Sequence, residues 1–176
     1  MTSRLPNYWL RNDWLDRARG IAVQEVPSMD YEHTQHSPLH WLLLVPAGAM
    51  LLSAAWATES PAVVAVLLGS GLITGVLGFS FGRLTVRDEG SRLAIEFGPL
   101  PLFRKTVEYH EITDVCVARS SWIDGWGIHW MPGRGTTYNL WGFDCVELQL
   151  GNQQLRVGTD EAENLAEFLR QRLKPR

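Results

Sequence analysis

From Trp41 to Gly82 the chain runs 42 residues with a single charged side chain, Glu59. The other 34 charged residues are spread over the remaining 134 positions, about one in four. A helix lying on a water-soluble core shows polar residues every turn, and this block does not. Averaged over all 176 residues the block disappears: 45% hydrophobic, 20% charged, mean hydropathy -0.08 and net charge -3 describe one slightly acidic soluble domain. Those averages exclude a disordered chain, a collagen-like repeat and a strongly basic nucleic-acid binder.

Glu59, Ser60 and Pro61 divide the block into Trp41–Thr58 and Pro61–Phe81, of 18 and 21 residues. At 1.5 Å of rise per residue these make helices of about 27 and 32 Å, matching a hydrocarbon core of roughly 30 Å. The pattern predicts two membrane-spanning helices. Ser60 suits an N-cap and Pro61 the first helical turn, where a missing N–H costs nothing. Trp41 and Trp56 bracket the first span as an aromatic belt would. A buried hairpin in a soluble protein would need far more surrounding chain than this one has. A cleaved secretory signal ending at Ala55-Trp56-Ala57 is opposed by the 40-residue mixed-charge segment before it and the second apolar run after it.

Within the second span Gly71, Gly75, Gly78 and Gly82 recur every three or four residues and align on one helix face. Such a stripe lets backbones approach closely, either within the hairpin, against Gly48 and the small residues near Ala54, or between copies of the chain. Neither span carries an ionisable residue at mid-depth, so a transporter or proton relay has no machinery here. Arg83, Arg87 and Arg92 follow the second span while the Glu59 turn has no cation, which places that turn outside and both termini in the cytoplasm.

Residues 1–40 form an amino-terminal arm of net charge -1. Leu10, Trp14, Ala18 and Ile21 fall at helical spacing and suit a short interfacial helix; an arm lying on the protein is the alternative. The stretch Pro27–Pro38 is polar, and its His33 and His36, with His40 just beyond, match no metal spacing, so it reads as a solvated linker. Residues 83–176 change to short alternating runs: 84–87, 93–97, 106–109, 112–118, 136–141, 146–150 and 155–157 read as strands of an antiparallel meander. Asp88-Glu89-Gly90, Gly98-Pro99, Pro132-Gly133 and Gly151-Asn152 mark its turns. The chain ends in a helix on which Ala162, Leu165, Ala166, Leu169 and Leu173 form an apolar stripe, with Asp160 as its expected cap.

A transmembrane hairpin followed at once by Leu84-Thr85-Val86, Leu93-Ala94-Ile95, Ile112-Thr113-Asp114-Val115, Val146-Glu147-Leu148 and Arg156-Val157-Gly158-Thr159 before a final helix resembles the membrane-attached bacterial PH-like domain proteins. The resemblance covers residues 41–173 and rests on element order and hydrophobic spacing. It implies a membrane α-hairpin plus a mainly-β PH-like domain, with about seven antiparallel strands in a partial barrel closed by the carboxyl-terminal helix. It transfers no catalytic residue, cofactor or phosphoinositide site, since the early turns offer Asp88 and Glu89 and then Arg104-Lys105 alone.

His110, His129, Cys116 and Cys145 fit no metal-ligand spacing, and no Walker, dinucleotide or nucleophile-elbow motif is present. A disulfide between Cys116 and Cys145 requires adjacent strands, and a cytoplasmic location would keep both reduced. The segment 121–143 stands out. It holds Trp122, Trp126, Trp130 and Trp141, half of the protein's eight tryptophans, with one cation, Arg134. Trp126, Ile128 and Trp130 share one face of a candidate strand. These rings either fill the domain core or form an exposed patch that meets the headgroup region or a partner.

The sequence therefore predicts a multi-pass protein of the cell inner membrane whose cytoplasmic PH-like domain is a non-enzymatic interaction or scaffold module, with no cofactor and no metal. Its expected partners are the lipid bilayer and another membrane protein or a second copy, with neither nucleic acid nor a specific small molecule. Two alternatives stand beside it: a membrane-bound enzyme using His110, Glu111 or His129, and a structural subunit that oligomerises through the glycine stripe.

Overall fold

The computed structural model describes residues 30–57, 60–121 and 125–173. The interfacial helix expected between Leu10 and Ile21, the Glu59 turn and Trp122 lie outside them. Two long apolar helices come first: α1, Trp41–Trp56, entered through a 3-10 turn at Pro38–His40, and α2, Pro61–Ser80. They pack against each other as a hairpin. Pro38–Trp56, which takes in the entry turn, and Pro61–Ser80 are each long and apolar enough to cross a membrane, and only 11% of the most apolar stretch of each is buried. Pro61 opens α2 as predicted. Ser60 holds an extended N-cap backbone, but its hydroxyl makes no capping bond.

The rest is mainly β. A four-stranded antiparallel sheet runs in the order β1 (Glu32–His36), β2 (Arg83–Asp88), β3 (Arg92–Gly98), β4 (Arg104–Glu108). A five-stranded sheet has the order β5 (Ile112–Arg119), β8 (Asp144–Leu150), β9 (Gln153–Gly158), β7 (Gly135–Asn139), β6 (Gly127–Met131). Helix α3, Ala162–Leu173, packs on β5 and β8. One core joins all three: Leu84, Val86, Ile95 and Phe97 from the first sheet, Val146, Leu148 and Val157 from the second, and Leu165 and Leu169 from α3 are at most 2% exposed. The apolar stripe of α3 is the predicted one, with Phe168 added, stacked on Tyr31 at 5.2 Å.

Four expectations are corrected. The polar stretch read as a solvated linker contains β1, whose five residues pair antiparallel with β2 from Glu32↔Arg87 to His36↔Arg83. An edge strand is held by backbone bonds and does not need an alternating apolar face. Here side chains add hydrogen bonds between Thr34 Oγ1 and Thr85 Oγ1 at 2.9 Å and between His33 Nε2 and Asp160 Oδ1. Asp160 is thus occupied by His33 rather than capping α3, and Thr159 Oγ1 accepts from the Glu161 N–H at 3.1 Å.

The described strands number nine rather than about seven, in two separate sheets that do not close into a barrel. The meander is also not wholly antiparallel. The hairpin β6–β7 folds to the far side of β9, so that β7 and β9 pair in parallel through Thr136↔Leu155 to Tyr138↔Val157. Glycine permits this at both ends. A Cβ at Gly135, where φ is +74°, would collide with the Gln154 carbonyl, and one at Gly158 would collide with the Asn139 side chain.

Candidate functional site

The helical hairpin is inserted into the β1–β2 ladder. β1 ends at His36 and leads within one short turn into α1; α2 ends at Ser80 and β2 begins at Arg83. The Ser37 N–H donates to the Gly82 carbonyl at 3.4 Å, so the ladder is bonded up to the point where the helices leave. Ser37 also caps the entry turn, its Oγ accepting from the Leu39 N–H at 3.0 Å. Phe81 closes the other leg, stacked on Phe103 at 5.2 Å and edge-on to Phe97 at 5.0 Å. Both helices therefore start from a rigid base with no flexible linker.

The glycine stripe faces α1 over most of its length. A Cβ at Gly78 would stand 2.9 Å from the Leu43 Cβ, one at Gly71 3.0 Å from Leu51 and 3.2 Å from the Ala47 carbonyl, and one at Gly75 3.7 Å from the Ala47 Cβ. The partners are thus Leu43, Ala47 and Leu51 rather than Gly48, where an added Cβ would meet nothing within 4 Å. Gly82 lies beyond the helix, and a Cβ there would stand 3.4 Å from the Gly98 carbonyl and from the Pro99 ring.

The aromatic segment splits into two places. Trp126 and Trp141 stack at 5.3 Å with 23° between their planes, beside the base of the hairpin. The loop carrying Trp141 is pinned from two directions. Gln35 of β1 donates its Nε2 to the Trp141 carbonyl at 3.0 Å, and the Gly142 carbonyl accepts from Asn139 Nδ2 at 3.0 Å and Trp126 Nε1 at 3.3 Å. An apolar cavity of about 210 Å³ opens next to the stack, with Leu39 and Leu43 on one wall and Phe81 and Leu140 on the other. Trp130, 71% exposed, and the exposed Arg134 lie toward the other end of β6, about 13 Å along the strand. There Trp130 borders an open cleft of about 600 Å³ lined by the amides Gln149, Asn152 and Gln154. Trp141 at 39% and Ile128 at 37% exposed complete a face that is only partly core.

The residues considered for chemistry are not brought together. His110 and Glu111 sit on a 3-10 turn that leads into β5, while His129 is on β6, and these strands are the opposite edges of the five-stranded sheet. Among the described residues no group of three His, Cys, Asp or Glu side chains is arranged to hold a metal ion. Cys116 and Cys145 are not joined in a disulfide; they lie on paired strands two rungs apart, Cys116 opposite Glu147 and Cys145 opposite Ala118. Asp114, accepting from the Cys116 thiol at 3.5 Å, holds that thiol's pKa above its ordinary value, the reverse of an activated nucleophile.

Two charged clusters knit the end of the domain away from the helices. Glu89 accepts from Arg92 at 2.9 Å and from Arg87 and Arg104, which lower its carboxyl pKa, Arg92 most. Asp88, its side chain 3% exposed, accepts from the Tyr109 hydroxyl at 2.8 Å and from Arg172 of α3 at 3.1 Å. Burial first, then the Asp88 carboxylate, push the Tyr109 phenol far above its usual pKa. These contacts fasten the β2–β3 turn to the last turn of α3. No protein-family model matches the chain, and no curated protein matches it.

Proposed function

We propose that the chain is a membrane-anchored, non-enzymatic interaction module: a two-span hairpin that holds a PH-like domain against the cytoplasmic face of the inner membrane. One observation carries the membrane part. Leu42, Val45, Leu52, Val66, Leu72 and Ile73 are each more than 60% exposed, on helix faces that no other described residue covers. In water that surface is an aggregation hazard, and in hydrocarbon it is at home. Two sheets with a terminal helix against one of them support the PH-like reading, while the parallel β7–β9 pair departs from what that resemblance implies. The separation of His110 and Glu111 from His129 favours a module over an enzyme. The packing of Gly71 and Gly78 against α1 favours an anchor over an oligomer-forming subunit.

Fractionation tests the anchor. The full chain remains in the membrane pellet through alkaline carbonate extraction, and release into the supernatant refutes the spans. Orientation is read by a membrane-impermeant maleimide on intact cells. Ser60→Cys reacts from outside, whereas the native Cys116, exposed on β5, reacts only after lysis. The opposite labelling refutes the cytoplasmic placement.

A further inference from the structure

We infer that the end of the β domain from which the two helices leave is itself a lipid-contacting surface, with the loop between β3 and β4 seated at the headgroup boundary. The inference rests on the membrane reading above and specifies how the domain meets the bilayer. Its first ground is register. Arg83, the first residue of β2, pairs on one side with His36, where β1 leads to α1, and on the other with Gly98, the last residue of β3. Gly98 is therefore about one strand spacing, some 4.8 Å, from the foot of the hairpin. Little gap remains: a Cβ at Gly82 would already stand 3.4 Å from the Gly98 carbonyl and from the Pro99 ring.

The second ground is chemistry. The loop reads Pro99-Leu100-Pro101-Leu102, and all four residues are exposed, Leu102 at 55%. Its inward contact is made by the next residue, Phe103, stacked on Phe81. Two prolines remove two amide donors, and the Leu102 N–H is already bonded to the Leu100 carbonyl at 2.8 Å. A loop with so few free donors and two outward leucines is poorly matched to water and well matched to the edge of a hydrocarbon layer. The exposed cations Arg83 and Lys105 adjoin it, the pattern by which apolar insertion is combined with attraction to anionic headgroups.

The third ground is symmetry about the hairpin foot. On the β1 side stands the Trp141 loop, pinned by Gln35 and stacked on Trp126; on the β3 side stands the Leu100–Leu102 loop. Aromatic rings with one polar edge occupy the headgroup level. With both flanks apolar and the base rigid, the domain is not a ball on a string. It sits in one orientation, with the β6–β7 and β8–β9 turns directed away from the membrane.

The test uses the full chain in nanodiscs of mixed phosphatidylcholine and phosphatidylglycerol, with Cys116 replaced by Ser and the buried Cys145 by Ala. Single spin labels go to Leu100→Cys, Leu102→Cys, Val66→Cys on α2 and Asn152→Cys in the β8–β9 turn. Accessibility is measured to oxygen, which partitions into lipid, and to a water-soluble nickel chelate. The expected result is an oxygen-to-nickel ratio at 100 and 102 several-fold above that at 152 and approaching that at 66. Lipid-like values at 66 with water-like values at 100 and 102 overturn the seated loop and leave the anchor standing. Shielding of 100 and 102 from both reagents also overturns it, because a second copy then covers the loop. A water-like value at 66 removes the membrane reading and this inference with it. Reading 100 and 102 independently guards against one label disturbing the fold, and unchanged thermal midpoints verify it.

Discussion

Adding one methyl group at successive glycines of the hairpin separates a stripe that packs within the chain from one that packs between chains. A Cβ at Gly78 would stand 2.9 Å from the Leu43 Cβ and 3.1 Å from Leu44, closer than ordinary van der Waals contact. At Gly71 the new atom meets Leu51 at 3.0 Å and the Ala47 carbonyl at 3.2 Å, and a backbone carbonyl cannot move aside without its helix. Overpacking of this kind costs about 1–3 kcal/mol. Replacing a helical glycine by alanine returns about 1 kcal/mol of propensity. Gly71→Ala and Gly78→Ala are therefore expected to destabilise the hairpin by up to about 2 kcal/mol net. Gly75→Ala, at 3.7 Å from the Ala47 Cβ, makes an ordinary contact, and Gly48→Ala meets nothing. Both keep the propensity gain and are expected to be neutral or stabilising by up to about 1 kcal/mol. Reversible unfolding in mixed detergent micelles gives the ranking, and light scattering gives the mass. A loss at Gly48→Ala exceeding that at Gly78→Ala, or a fall in oligomeric mass with Gly75→Leu, refutes the intramolecular packing.

The Asp88 cluster and the buried phenols supply two more tests. Asp88→Ala strips partners from the Tyr109 hydroxyl, Arg172 and the Gly90 N–H, and is expected to cost about 3 kcal/mol in denaturant unfolding; a loss below about 0.5 kcal/mol, the level of an exposed pair, would refute the role given to it. Tyr31 is pushed by burial, and next by Glu161, up to about 12, and Tyr109 is raised further. A raised phenol favours the folded state below its unfolded value near 10, and that contribution is lost as pH climbs through the folded value. The thermal midpoint is expected to fall between about pH 10 and 12, with phenolate absorbance rising as the chain unfolds, and Tyr31→Phe should flatten the slope. An unchanged slope in Tyr31→Phe would remove Tyr31 as its source.

What could be read from the sequence was whatever depends on periodicity. The two apolar runs, the alternation of Val146, Leu148 and Leu150 and the i, i+3, i+4 stripe of α3 are single-element signals, and the elements formed where they predict. What could not be read depends on pairing between distant elements. β1 carries Glu-His-Thr-Gln-His, with no apolar alternation, because its backbone bonds to β2 and its Gln35 serves the Trp141 loop. The parallel β7–β9 contact needs glycine at 135 and 158, residues that alone signal only turns. The aromatic segment was visible as a concentration of tryptophan, but its division between the two ends of β6 is a consequence of the hairpin β6–β7. Leu100 and Leu102 follow the Gly98-Pro99 turn, and only the register of β1, β2 and β3 puts them beside the hairpin foot.

That register implies that the β domain does not begin at residue 83. Cutting there exposes the inner edge of β2 over five paired residues and removes the Thr34–Thr85 contact, the His33–Asp160 pair, the Tyr31–Phe168 stack and the Gln35 bond to the Trp141 loop. Loss of the Tyr31 ring pair and the buried Gln35 bond alone amounts to about 2–3 kcal/mol, a large share of a marginal domain's stability. Residues 83–173 alone are thus expected to aggregate or to unfold at a markedly lower temperature. The helices themselves contribute little to the β core, since they meet it chiefly through Phe81 and the end of α2 beside β3. Excising them should be harmless if the strands are rejoined. Ser37 and Gly82 already face each other across the ladder, so an Asn-Gly pair joining them makes a two-residue hairpin turn suited to the twist. The chain 30–37, Asn-Gly, 82–173 is expected to be soluble and to melt cooperatively above the fragment 83–173. Equal melting of the two, by circular dichroism at matched concentration, would show that β1 is ornamental and that the domain is complete without it.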